Sequence, residues 1–322
     1  MSKVVLIPQD VAVEGKNYLI ERGYKIKMGS GVTEQDIIND VVDCDAILLR
    51  TAKASKSVLE AGKNLKIIAR HGAGYDNVDL AAANELGIWV TNTPDATTNS
   101  VAEFTMGAIV AVAKRTFLMN KAIHENNFYY KNTHKGVDIQ GKTLAVMGFG
   151  RIGRSVAKKA HFGFDMNIIA YDPYAKPESI PEYVKLVSWD EAFSSADFVS
   201  LHMPANKDNI GCVSAKEFDM MKKTAFFINC ARGELVDEPE LVKAIEAEKI
   251  SGAFIDVFVK EPPEADNPLL KLENISATPH MASNTEECMR LMAVQAASQI
   301  DKVLSGEKPD WPVNKPVEVR KC

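Results

Sequence analysis

Short β-branched and apolar runs alternate with stretches of helical period from the start of this chain. Val4–Ile7, Lys25–Met28, Ala46–Arg50, Lys66–Arg70 and Trp89–Thr91 read as strands, with helices between them over Val11–Arg22, Glu34–Val42, Ser57–Ala61 and Leu80–Leu86. Such alternation is the pattern of a parallel sheet with helical crossovers. Ala46-Ile47-Leu48-Leu49 and Leu65-Lys66-Ile67-Ile68-Ala69 are nearly unbroken in apolar residues, as expected when helices cover both faces of the sheet. The turn-rich stretch from Asn92 to Asn99 then leads into one long helix expected from about Ser100 to Ala122, and Pro94 cannot extend a preceding helix.

After Gly141-Lys142 a second βα series begins, with strands expected near Thr143–Met147, Asn167–Tyr171, Phe198–His202, Ala225–Asn229, Ala253–Val257 and Ile275–Thr278. The last helical pattern, Thr285 to Leu304, keeps Met289, Met292, Ala293, Ala296, Ile300 and Val303 at helix-compatible spacing. No internal repeat or low-complexity run suggests another architecture. The chain therefore reads as α/β, two doubly wound parallel-sheet domains, with a crossover between them near Asn92–Asn99. The pattern alone does not show which domain the final helix joins.

Composition narrows the function. With 322 residues, 46% hydrophobic and 25% charged, the chain is globular and long enough for two domains. A net charge of -5 leaves no basic surplus for a phosphate backbone, so no nucleic-acid partner is expected. The apolar run Val4–Pro8 is too short for a secretory leader, and Met106–Ala113 falls well under the roughly 18 residues of a membrane span, so no membrane association is expected. Five cysteines (Cys44, Cys212, Cys230, Cys288, Cys322) form no C-x-x-C pair and are odd in number, which points to reduced thiols and a cytoplasmic protein. The six histidines show no metal-binding spacing, and no metal is expected.

The strand Thr143–Met147 runs directly into Gly148-Phe149-Gly150-Arg151-Ile152-Gly153, and a helical run, Arg154 to His161, follows. In that context G-x-G-x-x-G is a dinucleotide fingerprint: Gly148 for a tight turn, Gly150 for close approach of a pyrophosphate, Gly153 for packing of helix on strand. The helix N-terminus adds free N–H groups and positive potential. Asp172, about 20 residues past the last glycine at the end of the next strand, is placed for the adenosine ribose hydroxyls. Its charge repels a 2′-phosphate, and no arginine follows to compensate, so NAD is expected rather than NADP.

Three ionisable residues stand at or past the ends of successive late strands: Arg232, Glu261 and His280. Open α/β sheets bind ligands at strand C-terminal ends. Reduction of a 2-oxo acid needs a cation for the carboxylate or carbonyl oxygen and an acid to protonate that oxygen. Arg232 and His280 are of these types, and Glu261 is suited to orient the imidazole and stabilise its cationic form. Taken singly, each has an ordinary alternative: a surface ion pair, a turn before a proline, a loop.

Together with these, Arg70-His71-Gly72-Ala73-Gly74-Tyr75-Asp76-Asn77-Val78-Asp79, Asn92-Thr93-Pro94 with Val101-Ala102-Glu103, Cys230-Ala231-Arg232-Gly233, Asp256-Val257-Phe258 with Glu261-Pro262, and Pro279-His280 closely resemble the D-isomer-specific 2-hydroxyacid dehydrogenases, from about Ala46 to Leu304. The resemblance implies a flavodoxin-like substrate domain, 1–99 plus 286–322, and a Rossmann NAD-binding domain, 100–285. It implies that Arg232 binds substrate, that Glu261 and His280 form the acid/base pair, and that the backbone of Gly72, Ala73 and Gly74 receives the substrate carboxylate. It further implies that Asp256 and the Cys230-Ala231 backbone hold the nicotinamide end, that Arg151, Ile152 and Met203 line the cofactor, with Ser283 beside it, and that the helix after Asn99 builds a homodimer. Leu48-Leu49-Arg50-Thr51-Ala52-Lys53 and Arg70 resemble the phosphoglycerate dehydrogenase and hydroxypyruvate reductase branch, in which Arg50 could meet a substrate phosphate. Cys230 is better explained by backbone contact with NAD than as a nucleophile. Transcriptional co-repressors that sense NAD share the architecture; the absence of an appended low-complexity tail or extra interaction segment favours an enzyme, while the lack of the regulatory domain that some phosphoglycerate dehydrogenases carry counts against a phosphorylated substrate.

Overall fold

Along the strand Thr143–Met147, successive side chains belong to opposite layers. Leu144 and Val146 join an apolar cluster with Val156, Ala160 and Ile168, while Ala145 and Met147 join another with Val199, Leu201 and Phe227. A strand apolar on both sides is stable only inside a sheet covered on both faces. The early strands behave alike: Leu6, Ile47, Leu49 and Ile68 face one layer, Val5, Ile7, Leu48 and Ile67 the other.

The computed structural model describes residues 2–316 and 318–320; Cys322 lies outside them. The backbone divides into two units, Met1–Thr97 with Ser283–Cys322, and Thr98–Ala282. The first holds β1 (Val4–Ile7), β2 (Lys25–Met28), β3 (Ala46–Leu49), β4 (Ile67–Arg70) and β5 (Trp89–Thr91), all parallel, in the order β2-β1-β3-β4-β5. This is the flavodoxin-like order. The terminal helix, Glu286–Leu304, is capped by Thr285 and packs on the helix Val13–Glu21. The approach is so close that a Cβ on Gly15 stands 2.7 Å from the Ala293 Cβ. The chain beyond it covers the β5 edge, where the Asn314 side chain accepts from Val90 N and donates to Ile88 O as a neighbouring strand would.

The second unit holds β6 (Thr143–Met147), β7 (Asn167–Tyr171), β8 (Val184–Leu186), β9 (Phe198–Leu201), β10 (Phe226–Asn229), β11 (Gly252–Ile255) and β12 (Ile275–Ala277). All are parallel, in the order β12-β11-β10-β9-β6-β7-β8, the Rossmann arrangement with its switch point between β6 and β9.

Three local expectations are corrected. The long helix from Ser100 to Ala122 is two helices, Thr98–Ala113 and Thr116–His124. Val137 N takes the Ala113 carbonyl at 2.8 Å and Arg115 turns into the left-handed region at φ 55°, which ends the first helix without a glycine or proline. The edge strand β8, Val184–Leu186, belongs to no sequence-derived strand. The helix after the glycine fingerprint begins at Arg151 rather than Arg154 and runs to Phe164.

Candidate active site

In the second unit the fingerprint forms a bare turn between β6 and the Arg151–Phe164 helix. Gly148 has φ +97°, and a Cβ there would meet the His202 carbonyl and the Met203 amide at 2.9 Å. A Cβ on Gly150 would meet nothing within 4 Å, and one on Gly153 would strike Gly148 O at 2.2 Å. The first two glycines thus shape an open cradle, and the third seats the helix against it. Gly150 is the helix N-cap and supplies no side-chain cap, so the first-turn amides face outward for an anion. Asp172, just after β7, accepts from Phe149 N at 2.8 Å through Oδ2 and from Tyr174 N through Oδ1. The carboxylate is therefore anchored to the same turn. These features fit a dinucleotide: Gly148, Gly150 and Gly153 with Arg151 and Ile152 at the pyrophosphate, and Asp172 at the ribose.

The ionisable residues come together in the same unit. His280 Nδ1 lies 2.7 Å from Glu261 Oε2, while Glu261 Oε1 accepts from Phe258 N at 3.1 Å. Burial pushes the Glu261 carboxyl up, but the hydrogen bonds from His280 and Phe258 and the charges of His280 and Arg232 outweigh it and hold its pKa below the ordinary value. Both rings of contact are anchored in backbone, because Gly233, next to Arg232, lies against the Phe258 carbonyl so closely that a Cβ would stand 2.0 Å from it.

Cys230 is 8% exposed, and burial together with the Asp256 charge pushes its thiol far up, so it is no nucleophile. Asp256 is fully buried, with its carboxylate accepting from Thr278 Oγ1, Met281 N and Ala282 N. Its side chain thus holds the His280 loop. Ser283 begins the second stretch of the first unit, apart in the chain division from the other cofactor candidates.

In the first unit, the turn after β4 is built by removing its carbonyls. Gly72 O accepts from Thr93 N, Ala73 O from Asn92 Nδ2, and Gly74 O from Arg70 Nε. The amides of Ala73 and Gly74 are left without an acceptor among the described residues, in the manner of an anion-binding nest. Gly72 differs: its amide donates to Thr93 Oγ1 at 3.0 Å. Arg50 donates to Asp10 O at 2.8 Å.

Residues 106–282 match the family model described as D-isomer specific 2-hydroxyacid dehydrogenase, NAD binding domain. The chain belongs to this family. It is 40% identical to the hydroxypyruvate reductase of Thermotoga maritima over 276 residues, 84% of this chain and 88% of that one. It is 39% identical to the D-3-phosphoglycerate dehydrogenase of Methanocaldococcus jannaschii over 317 residues, 97% of this chain and 60% of that one. The chain spans between 50% and 60% of the curated phosphoglycerate dehydrogenases it matches. Among solved structures, a glyoxylate reductase from Paecilomyes thermophila superposes with a TM-score of 0.88 at 28% identity, covering 97% of this chain and 98% of that one. The family's NAD binding domain thus contains the whole glycine fingerprint, Asp172, Arg232, Glu261 and His280.

Sequence reasoning assigned no task to Asn92, Thr93 or Asn229. Asn92 and Thr93 stand next to Pro94 in a stretch that reads only as a turn, and their partners lie some twenty residues earlier. Asn229 carried a weak signal: a polar residue closing an otherwise apolar strand must find partners.

Proposed function

We propose that this chain is an NAD-dependent D-2-hydroxyacid dehydrogenase acting on a small 2-hydroxy acid or its 2-oxo counterpart, of the hydroxypyruvate, glyoxylate or 3-phosphoglycerate type. The observation that carries the reading is the Glu261–His280 pair at 2.7 Å, with the Arg232 charge acting on the same carboxylate. Bound NAD supplies hydride acceptance in one direction and donation in the other.

The chain's own residues supply the rest. His280 Nε2 donates to no acceptor among the described residues. It is the atom that protonates the substrate's carbonyl oxygen during reduction and takes the hydroxyl proton during oxidation. Glu261 holds the other ring nitrogen, fixes the tautomer and stabilises the imidazolium. Arg232 binds the carboxylate or carbonyl oxygen. Ala73 and Gly74 offer their amides to the carboxylate, and Gly72 serves by its conformation, at φ +151°, its own amide being committed to Thr93. Asp256 and the Cys230-Ala231 backbone lie at the nicotinamide end, Met203 lines the cofactor, and Ser283 stands beside it.

A homodimer fits the same reading. A groove of about 1030 Å³ beside the Thr98–Ala113 helix is lined by Met106, Gly107, Val110, Phe162 and Phe164, and Phe117, Ile123, Phe128 and Tyr129 nearby in the chain are exposed. No described helix is long and apolar enough to cross a membrane, and Cys44, Cys212, Cys230 and Cys288 are free thiols, which supports a cytoplasmic setting.

The test is oxidation of NADH with hydroxypyruvate, glyoxylate, pyruvate and 3-phosphohydroxypyruvate, before and after Arg50→Ala. Turnover of at least one is expected; none with any of the four overturns the dehydrogenase reading. Arg50→Ala should lower kcat/KM for the phosphorylated substrate about 10- to 100-fold, the worth of a charge-assisted hydrogen bond. An equal loss on all four removes the phosphate role.

A further inference from the structure

Behind the reacting groups runs a chain of buried strand-end contacts that proton transfer itself does not use. Asn229 closes β10 at 1% exposure, where an amide left without partners is costly. Its side chain is spent wholly on the loop that follows. Oδ1 accepts from Ala231 N at 3.0 Å, and Nδ2 donates to the Arg232 carbonyl at 2.8 Å. A peptide N–H can only donate and a carbonyl can only accept, so the orientation of this amide is unambiguous. The Arg232 guanidinium donates in turn to the Ala231 carbonyl at 2.7 Å.

The same residue reaches the other half of the chemistry through its backbone. Asn229 O accepts from Asp256 N at 2.9 Å, and Asp256 O accepts from His280 N at 2.7 Å. The Asp256 carboxylate then fixes Thr278, Met281 and Ala282 on either side of His280. His280 is held at φ +49°, a left-handed conformation that a residue with a Cβ rarely adopts. A loop free to relax leaves that region.

We propose that Asn229 is a positioning residue for Arg232: its side chain sets the arginine loop at a strand end whose backbone, through Asp256, also carries the histidine loop. It touches no substrate. The inference rests on the dehydrogenase reading above.

Asn229→Asp tests it with almost no change of volume. The variant keeps the acceptor facing Ala231 N and replaces the donor facing Arg232 O with a second acceptor. In the folded variant kcat/KM for the preferred 2-oxo acid should fall about 10²-fold, the effect of misplacing a reacting group by about 1 Å, with KM rising as kcat falls. A second readout is independent of turnover. In Asn229→Ala, which deletes the acceptor of Ala231 N and leaves the backbone bonds to Asp256 in place, amide hydrogen exchange followed by NMR should quicken at least about 10-fold at Ala231, with the β6 and β7 amides unchanged. Local quickening without any wild-type turnover supports the frame while removing the dehydrogenase reading. Unchanged exchange at Ala231, or quickening spread evenly over the sheet, overturns the proposal, as does an unchanged kcat/KM in folded Asn229→Asp.

Discussion

The first unit's turn at 72–74 and the second unit's strand ends at 232, 261 and 280 are built on opposite plans. In the turn, the groups proposed to meet an anion are backbone amides; the Arg70 and Asn92 side chains occupy carbonyls, and Thr93 Oγ1 takes the Gly72 amide. At the strand ends, the groups offered are charged side chains, and buried backbone with Asn229 and Asp256 holds them. Backbone dipoles keep one charge state at every pH, which suits a carboxylate that does not change during the reaction. A proton donor, the role proposed for His280, must change its charge, so it needs an ionisable side chain with a partner such as Glu261.

The comparison breaks most readily at His280. His280→Ala should lower kcat about 10²- to 10⁴-fold, the usual worth of a positioned acid, while NADH affinity by fluorescence titration stays within a few-fold. Lost NADH affinity would contradict the role. Asp172→Ala tests the cofactor end of the same unit. It should relax the preference for NAD over NADP by about 10- to 100-fold, well inside the limit set by two screened like charges near 4 Å. Unchanged preference in steady-state kinetics counts against the ribose contact.

On the turn, smaller effects are expected because no charge is removed. Thr93→Val preserves shape and deletes the acceptor of Gly72 N in a fully buried position. It should cost about 1–3 kcal/mol of stability in denaturant melts and raise the substrate KM more than it lowers kcat. A kcat loss as large as that of His280→Ala would erase the distinction between the two plans.

The smallest effect concerns His71, which is buried beneath the terminal helix and donates through Nε2 to Met289 O at 3.2 Å. Burial first, then the charges of Arg50 and Arg70, push its pKa down to about 4. The unfolded chain therefore takes up a proton near pH 6.5 that the fold refuses. The stabilisation from the neutral ring is complete above about pH 6.5 and is lost as pH falls toward 4. Burial lowers His202 as well, so His71→Gln should flatten only part of the decline in Tm between pH 6.5 and 4.5. Superimposable Tm profiles assign the decline elsewhere.

Strand limits were legible wherever an apolar run ends abruptly: Val4–Ile7, Lys25–Met28, Trp89–Thr91, Thr143–Met147 and Asn167–Tyr171 have those bounds in the fold. The break at Arg115 was not, since Lys114-Arg115-Thr116 contains no breaker and Val137 N, more than twenty residues on, ends the helix. The ionisable candidates were legible because their chemistry is in the side chain and their place after a strand is a local pattern. The work of Thr93, Asn92 and Asn229 was hidden, because a hydroxyl or amide shows its partner only when the loops are folded.

Residue type and spacing alone thus determined the two parallel sheets and the glycine turn, and singled out Asp172, Arg232, Glu261 and His280 as candidates. Each depends on local period, backbone freedom or intrinsic charge, which one segment carries by itself. Tertiary structure decided which amides of the turn remain available, that Asp256 faces the histidine loop, and that Asn229 joins that loop to the arginine. Those are hydrogen bonds between segments far apart in the chain, and a donor's partner is set by where the fold leaves an acceptor.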